Sequence, residues 1–264
     1  MKRAIVIGAT SGLGREIVMN LVREGWAVGI AGRRVELLEE LANEMNTIIR
    51  SVSGGLLKEE DNMSGRGEVV YERIDVTTED AVEGVERLVE RLGGMDLFVN
   101  VAGVGFQNPT LDPKVEKHTF DVNGYGFMRM VGWAYNYFKR EECEGQIAIV
   151  SSIAGTMPLG TAAAYSATKR MQSHYLTALA QLARMEGVGI KFTDIRPGFA
   201  ATDILNPNKH YPMMMEKEYA GRLATRAILK KRRVAVIDWK FAVLTFFWVL
   251  IPRCVWERLT FVKN

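Results

Sequence analysis

Arg3-Ala4-Ile5-Val6-Ile7-Gly8-Ala9-Thr10-Ser11-Gly12-Leu13-Gly14 is the stretch on which the fold turns. Arg3–Ile7 is a short apolar run that reads as a buried strand, and the pattern from Gly12 to Glu24 reads as a helix. Between them, Gly8, Gly12 and Gly14 permit a tight turn and let a pyrophosphate approach the N–H groups at a helix N-terminus. A glycine cluster alone signals no more than a turn. A strand before it and a helix after it make it a nucleotide loop. Gly8, Thr10, Ser11, Gly12, Leu13 and Gly14 are therefore the first candidate cofactor residues.

The same alternation runs outward from this unit. Further strands are expected at Trp26–Ala31, Glu68–Ile74, Met95–Asn100, Gln146–Ser151, Ile190–Ile195 and Val234–Ile237. Helices are expected at Arg34–Met45, Thr78–Leu92, Pro113–Lys139, Thr161–Met185 and Met215–Lys230. Seven strands alternating with helices describe an α/β, Rossmann-type, doubly wound parallel sheet. One domain over residues 1–238 is expected, followed by a short apolar and basic helical extension over 239–264.

Two stretches break the rhythm. Asn46–Gly67 carries Ser53-Gly54-Gly55 and Ser64-Gly65-Arg66-Gly67 without sustained periodicity, and reads as a mobile surface insertion. Phe241–Ile251 is eleven uncharged residues closed by Pro252. As a helix it spans roughly 17 Å, too little for about 30 Å of bilayer hydrocarbon. Such a segment buries itself in the core, in a subunit interface or at a membrane surface. Lys240, Arg253 and Arg258, with Trp239, Trp248 and Trp256, suit the last of these.

Composition narrows the classes. Cys143 and Cys254 give no disulfide framework and suit a reducing compartment, and His118, His174 and His210 are too scattered for a metal site. The apolar run after Met1-Lys2-Arg3 is too short for an export signal, so a cytoplasmic chain is expected, with membrane association as an added feature. The net charge of +3 is uneven: Thr225–Asn264 holds nine Lys/Arg against two Asp/Glu. A basic end of this kind meets solvent, anionic lipid or an acidic partner. Nucleic acid is not an expected partner, because no binding-motif spacing accompanies the charge.

Cofactor choice is read at the end of the second strand. An NAD site places Asp or Glu about twenty residues past the glycines. Here Gly32 is followed by Arg33 and Arg34, whose guanidinium groups suit a 2′-phosphate, and Arg15 adds positive field. NADP(H) is expected over NAD(H). Proton chemistry is read at Tyr165-Ser166-Ala167-Thr168-Lys169, where helical spacing puts a phenol and an ammonium on one face. A nearby cation lowers a tyrosine pKa from about 10. A second copy, Tyr135 and Lys139, has no serine before it and reads as packing plus a solvated lysine. Ser152, by contrast, ends a strand thirteen residues ahead of Tyr165, at the sheet edge where ligands bind.

With these residues in order, the chain resembles the short-chain dehydrogenase/reductase family from about Lys2 to Asp203. The resemblance rests on Gly8, Gly12 and Gly14, Asp75-Val76, Asn100-Val101-Ala102-Gly103, Asn123, Ser152, Tyr165, Lys169, Pro197-Gly198 and Thr202. It implies that Tyr165 is the general acid or base, that Lys169 lowers its pKa and bonds the nicotinamide ribose, and that Ser152 holds the substrate oxygen. Asn123 would keep a water in a proton relay reaching Lys169. Asp75 and Val76 would meet the adenine; Asn100, Ala102, Gly103, Pro197, Gly198 and Thr202 would border the cofactor. Ile7 and Val101 depart from the family's usual threonine and second asparagine and touch cofactor fit or stability. The resemblance also implies a homodimer or homotetramer formed through the two long helices; Trp133, Tyr135, Tyr137 and Phe138 suit either that interface or the core.

The substrate lid of the family falls over residues 202–220, where Met213-Met214-Met215 make an adaptable apolar surface or else begin the next helix. Met157, Pro158 and Leu159 add a second apolar wall. The expected activity is an NADP(H)-dependent interconversion of a lipophilic ketone or aldehyde and its alcohol. The alternatives are an NADP(H) sensor without turnover and a membrane-surface protein acting through its C-terminal extension.

Overall fold

A computed structural model of the chain describes residues 1–53, 68–201 and 211–260. Its elements are β1 (Arg3–Ile7), α1 (Gly12–Arg23), β2 (Ala27–Gly32), α2 (Val35–Ser53), β3 (Val69–Arg73), α3 (Ala81–Leu92) and β4 (Leu97–Asn100). There follow α4 (Pro113–Phe120), α5 (Phe127–Arg140), β5 (Gly145–Val150), α6 (Ala163–Glu186) and β6 (Ile190–Pro197). The chain continues through α7 (Lys217–Leu229), β7 (Val234–Ile237), α8 (Trp239–Trp248) and α9 (Arg253–Trp256). The seven strands form one sheet in the order β3-β2-β1-β4-β5-β6-β7, and every pairing is parallel. This is the expected doubly wound sheet.

Strand side chains alternate between two apolar layers, as the period of a pleated strand requires. Ala4 and Val6 point into the layer built with Leu13, Ile17 and Leu21 of α1, Leu38 and Leu41 of α2, and Ala224 and Ile228 of α7. Ile5 and Ile7 point into the other, built with Val85 and Leu88 of α3, Phe127 and Met130 of α5, and Leu176 of α6. Strand order reverses between β1 and β4, where Ile7 stands level with Asn100. The crevice outside the carboxyl ends of these strands is where ligands of such sheets bind.

The structure revises several boundaries. α2 runs eight residues past its expected end at Met45. Ile48 and Ile49 pack against the core, and Asn46 exchanges two 2.9 Å hydrogen bonds with the backbone of Val69. The expected loop therefore gives up its first eight residues to helix, and residues 54–67 lie outside the described ones. The single helix expected over Pro113–Lys139 is interrupted by a wide π turn at Asp121–Gly126, between α4 and α5. Tyr135, Tyr137 and Phe138 are buried and Trp133 partly so, all packed in the second layer.

The extension is neither wholly buried nor wholly free. Phe241, Thr245 and Trp248 of α8 are buried, and Phe241 packs so closely over Gly198 that a Cβ there would meet its ring at 2.4 Å. Among the described residues no helix is long and apolar enough to cross a membrane.

Candidate active site

Three loops meet at the carboxyl edge of the sheet. The first leaves β1 through Gly8 and Gly12, both at positive φ (86° and 52°), a backbone conformation that only glycine adopts without strain. Gly14 is required by proximity: a Cβ there would lie 2.0 Å from the Gly8 carbonyl oxygen. Ser11 begins α1 without a side-chain cap, so the first-turn N–H groups that a helix leaves unpaired are open to an acceptor. Gly8 itself allows the second loop to close in, since a Cβ at Gly8 would meet the Ala102 nitrogen at 2.5 Å. Val101 and Ala102 both donate to the Ile7 carbonyl, at 2.8 and 2.9 Å. This holds the loop after β4 against the loop after β1.

The arginines divide their work. Arg34 Nη2 lies 3.0 Å from both Thr10 Oγ1 and Ser11 Oγ, over the glycine loop, and Arg33 is exposed beside Asp75. Burial pushes the Asp75 carboxyl up, but hydrogen bonds from Thr77 N and Oγ1, aided by Arg33 and Arg73, outweigh it and leave the group below its ordinary value. Val76 is buried next to it. Arg15 does not join them. It pairs with Glu44 at 2.5 Å, bridging α1 to α2.

Asn100, at the tip of β4, is buried, and its Oδ1 has no hydrogen-bond partner among the described residues. An orphaned buried acceptor costs about 1–3 kcal/mol, so its retention marks a place where something else is meant to donate. With the uncapped N-terminus of α1, the glycine cradle and Arg34, it makes a set of residues that fits a phosphate-bearing dinucleotide. Pro197 closes β6 and Gly198 follows it, half-buried, at the same edge. Thr202 lies outside the described residues.

The third loop carries the reactive groups. Ser152 follows β5, buried, and its Oγ accepts from Ala154 N at 3.1 Å. Tyr165 stands in the first turn of α6, half-buried, with the Ser152 hydroxyl as its side-chain neighbour. Lys169, one turn on, is buried, with its Nζ 5.7 Å from the centroid of the Tyr165 ring. Its N–H groups go to Val150 O (2.9 Å) and Gln172 Oε1 (3.2 Å). Asn123, in the π turn, is fully buried; its side chain exchanges hydrogen bonds with the backbone of Val104 and donates to Thr168 Oγ1 at 3.3 Å. Gly103 makes room for both groups, since a Cβ there would sit 3.2 Å from Asn123 Oδ1 and 3.4 Å from Lys169 Nζ.

One expectation about this cluster changes. Burial raises the Tyr165 phenol above its ordinary pKa, and Ser152 pulls it down only in part. Lys169 does not offset that burial, because its cation lies over the ring and its N–H groups point elsewhere. Lys169 itself is lowered to about 8 by burial, with Asp194 opposing. The Asn123 carbonyl accepts from Gln172 Nε2 at 2.9 Å. Gln172, 1% exposed, thus links Lys169 to Asn123. Neither Gln172 nor Asp194 was singled out from the sequence. The signal for Gln172 was its place three residues past Lys169 on the same helix face; for Asp194 it was a carboxylate inside a buried strand. Asp194 is 1% exposed and held by Ser151 Oγ (2.5 Å) and Arg196 (2.7 Å).

The second Tyr-x-x-x-Lys pair shows what a structural copy looks like. Tyr135 donates to Glu186 at 2.6 Å and Lys139 pairs with the same carboxylate at 2.8 Å. Burial and Glu186 push Tyr135 up to about 12.

Comparison with known proteins agrees with this arrangement. The family model described as short chain dehydrogenase matches residues 2–211. The chain belongs to the short-chain dehydrogenase family. An uncharacterized oxidoreductase of Myxococcus xanthus (strain DK1622) is 30% identical over 260 residues, covering 97% of this chain and 95% of that protein. A farnesol dehydrogenase of Aedes aegypti is 29% identical over 77% of this chain and 79% of its own length. A single-substitution variant of actinorhodin polyketide ketoreductase, solved with NADPH, is 27% identical with a TM-score of 0.64, over 77% of this chain and 72% of that one. This short-chain dehydrogenase is therefore an oxidoreductase of that family.

Of the apolar walls, Met157 and Leu159 are buried, Met157 in the core beside α8, and Pro158 is exposed. Met215 is buried, bridging to Ala200, while Met213 and Met214 are exposed. The helix that Met215 was expected to begin starts at Lys217. The part of the expected lid over 202–210 lies outside the described residues.

Proposed function

We propose that this short-chain dehydrogenase uses NADP(H) to interconvert a lipophilic ketone or aldehyde and the corresponding alcohol, with Tyr165 as general acid or base. The observation that carries the reading is the convergence of the Tyr165 phenol, the Ser152 hydroxyl and the buried Lys169 at the carboxyl end of β5. When bound, NADP(H) supplies or accepts the hydride. The glycine loop, Asn100, Arg33 and Arg34 would hold it, and Lys169 and Asn123 would border its reactive end beside Gly103. Ser152 donates a hydrogen bond to the substrate oxygen, and Tyr165 delivers its proton there as negative charge grows. A phenol raised by burial holds its proton at neutral pH, ready for delivery to a carbonyl oxygen. The arginines, together with a relative solved with NADPH, support NADP(H). The exposed Met213 and Met214, and a relative named for a lipophilic alcohol, support an apolar substrate. The proposal extends to a homodimer or homotetramer in the cytoplasm.

The test is NADPH consumption against carbonyls graded by chain length, with NADH in parallel. Turnover should favour NADPH and longer chains, and Tyr165→Phe should cut it by about 10²- to 10⁴-fold. Consumption that survives Tyr165→Phe, or that is confined to small hydrophilic sugars, overturns the reading. Dinucleotide binding without turnover in the wild-type protein would select the sensor.

A further inference from the structure

α8 has two apolar faces and only one of them is covered. Phe241, Thr245 and Trp248 repeat at three- and four-residue spacing and are buried. Trp239, Val243, Phe246 and Phe247, with Leu250 just beyond the helix, fall on the opposite side, as helical periodicity requires. These five are among the most exposed large apolar side chains of the described residues, from 49% for Val243 to 68% for Trp239. Val249 and Val255 are exposed beside them. Five large side chains bare on one helix face form a contiguous surface, which in a folded protein marks an interaction site.

The rim and the mounting of this surface point to its partner. Lys240, Arg253 and Arg258 are exposed on the same extension, with Glu257 the one carboxylate among residues 239–260. Asp238 is occupied in capping α8, accepting from Lys240 N at 2.8 Å. The basic run Lys230–Arg233 takes no part, since it precedes β7 and so sits at the other edge of the sheet. A second copy docking face to face about a two-fold axis would bring both sets of three cations into one interface. An anionic bilayer neutralises them and takes up the aromatic and aliphatic side chains together.

The covered face of the extension is fastened to the catalytic segment. Trp248 Nε1 donates to Thr156 Oγ1 and Trp256 Nε1 to Pro158 O, both at 2.8 Å. Phe241 stacks edge-on against Phe199, which in turn lies 5.1 Å from the ring of Tyr211. The wall after Ser152 and both flanks of the segment 202–210 are therefore in contact, directly or through one ring, with the extension. The geometry points to the bare face of α8 as a docking surface for an anionic membrane, holding the catalytic edge of the sheet at the lipid where a lipophilic substrate resides. The substrate clause rests on the function proposed above; the docking itself does not.

Co-sedimentation of the full chain with vesicles separates the two. Phosphatidylcholine vesicles doped with phosphatidylglycerol should bind it on the order of tenfold more tightly than phosphatidylcholine alone, and added salt should erase the difference. Phe246→Asp with Phe247→Asp should abolish sedimentation with both vesicle types, with an unchanged melting temperature and unchanged turnover of a water-soluble carbonyl. Absence of sedimentation in the wild-type protein, or sedimentation that survives the double variant, overturns the proposal. So does a concentration-dependent dimer that the double variant dissolves, which would make a second copy the occupant. A chain that binds vesicles but reduces no carbonyl would sink the proposed function and leave the docking surface standing.

Discussion

Gln172 gives the buried Lys169 ammonium a side-chain acceptor, and replacing it tests how the site is wired. Its Oε1 accepts from the Lys169 ammonium at 3.2 Å, and its Nε2 donates to the Asn123 carbonyl at 2.9 Å, with all three residues buried. An acceptor for a buried cation contributes about 1.5–3 kcal/mol, which corresponds to about one to two pH units in a titration midpoint. Gln172→Leu, of similar volume and unable to admit water, should therefore lower the midpoint of Lys169 from about 8 by that amount. Gln172→Glu places a carboxylate at the same distance and should raise it, since an opposite charge favours the ammonium. The variants share the loss of an amide donor to Asn123, so the opposite signs isolate the contact with Lys169. The assay is the pH titration of the Lys169 ε-carbon shift by NMR in the cofactor-free protein. The alkaline limb of kcat/KM should follow it, to lower pH in the leucine variant and to higher pH in the glutamate variant. Shifts of the same sign, or none, would refute the assignment.

Two further outcomes follow from burial and packing. The unfolded chain keeps the Lys169 proton up to about 10.5, while the folded chain releases it near 8, so this group makes stability rise with pH between those values, by about 3 kcal/mol in all. Denaturation of Lys169→Met at a series of pH values should lack that portion of the rise; curves parallel to wild type would contradict it. Gly14→Ala drives a methyl onto the Gly8 oxygen and should cost about 3 kcal/mol or more together with dinucleotide binding, whereas Gly160→Ala, which meets nothing within 4 Å, should change the denaturation midpoint little.

Much of the site was legible because its chemistry is written in local spacing. The glycines at 8, 12 and 14 serve a single turn and its helix, and Tyr165 and Lys169 share a helix face by arithmetic. What escaped depends on distance through space. Asp194 and Val150 come from separate strands, and only sheet pairing brings them to Lys169. The Tyr135 and Tyr165 pairs look alike in sequence; their partners, Glu186 for one and Ser152 for the other, lie 51 and 13 residues away and separate the roles. The break between α4 and α5 at Asp121–Gly126 was invisible for a related reason, since the apolar period continues through a π turn that tertiary packing selects.

The α8 segment marks the boundary between the two kinds of information. By itself the sequence determined the parallel α/β sheet, the nucleotide loop and an apolar C-terminal stretch too short to cross a bilayer, because each depends on composition and period over neighbouring residues. Only the tertiary structure decided which half of that stretch is covered, which acceptors hold the Lys169 ammonium, and that burial outweighs the Ser152 hydrogen bond in setting the Tyr165 phenol. Those depend on which residues exclude water from one another, and a linear chain acquires that property only when its distant parts pack together.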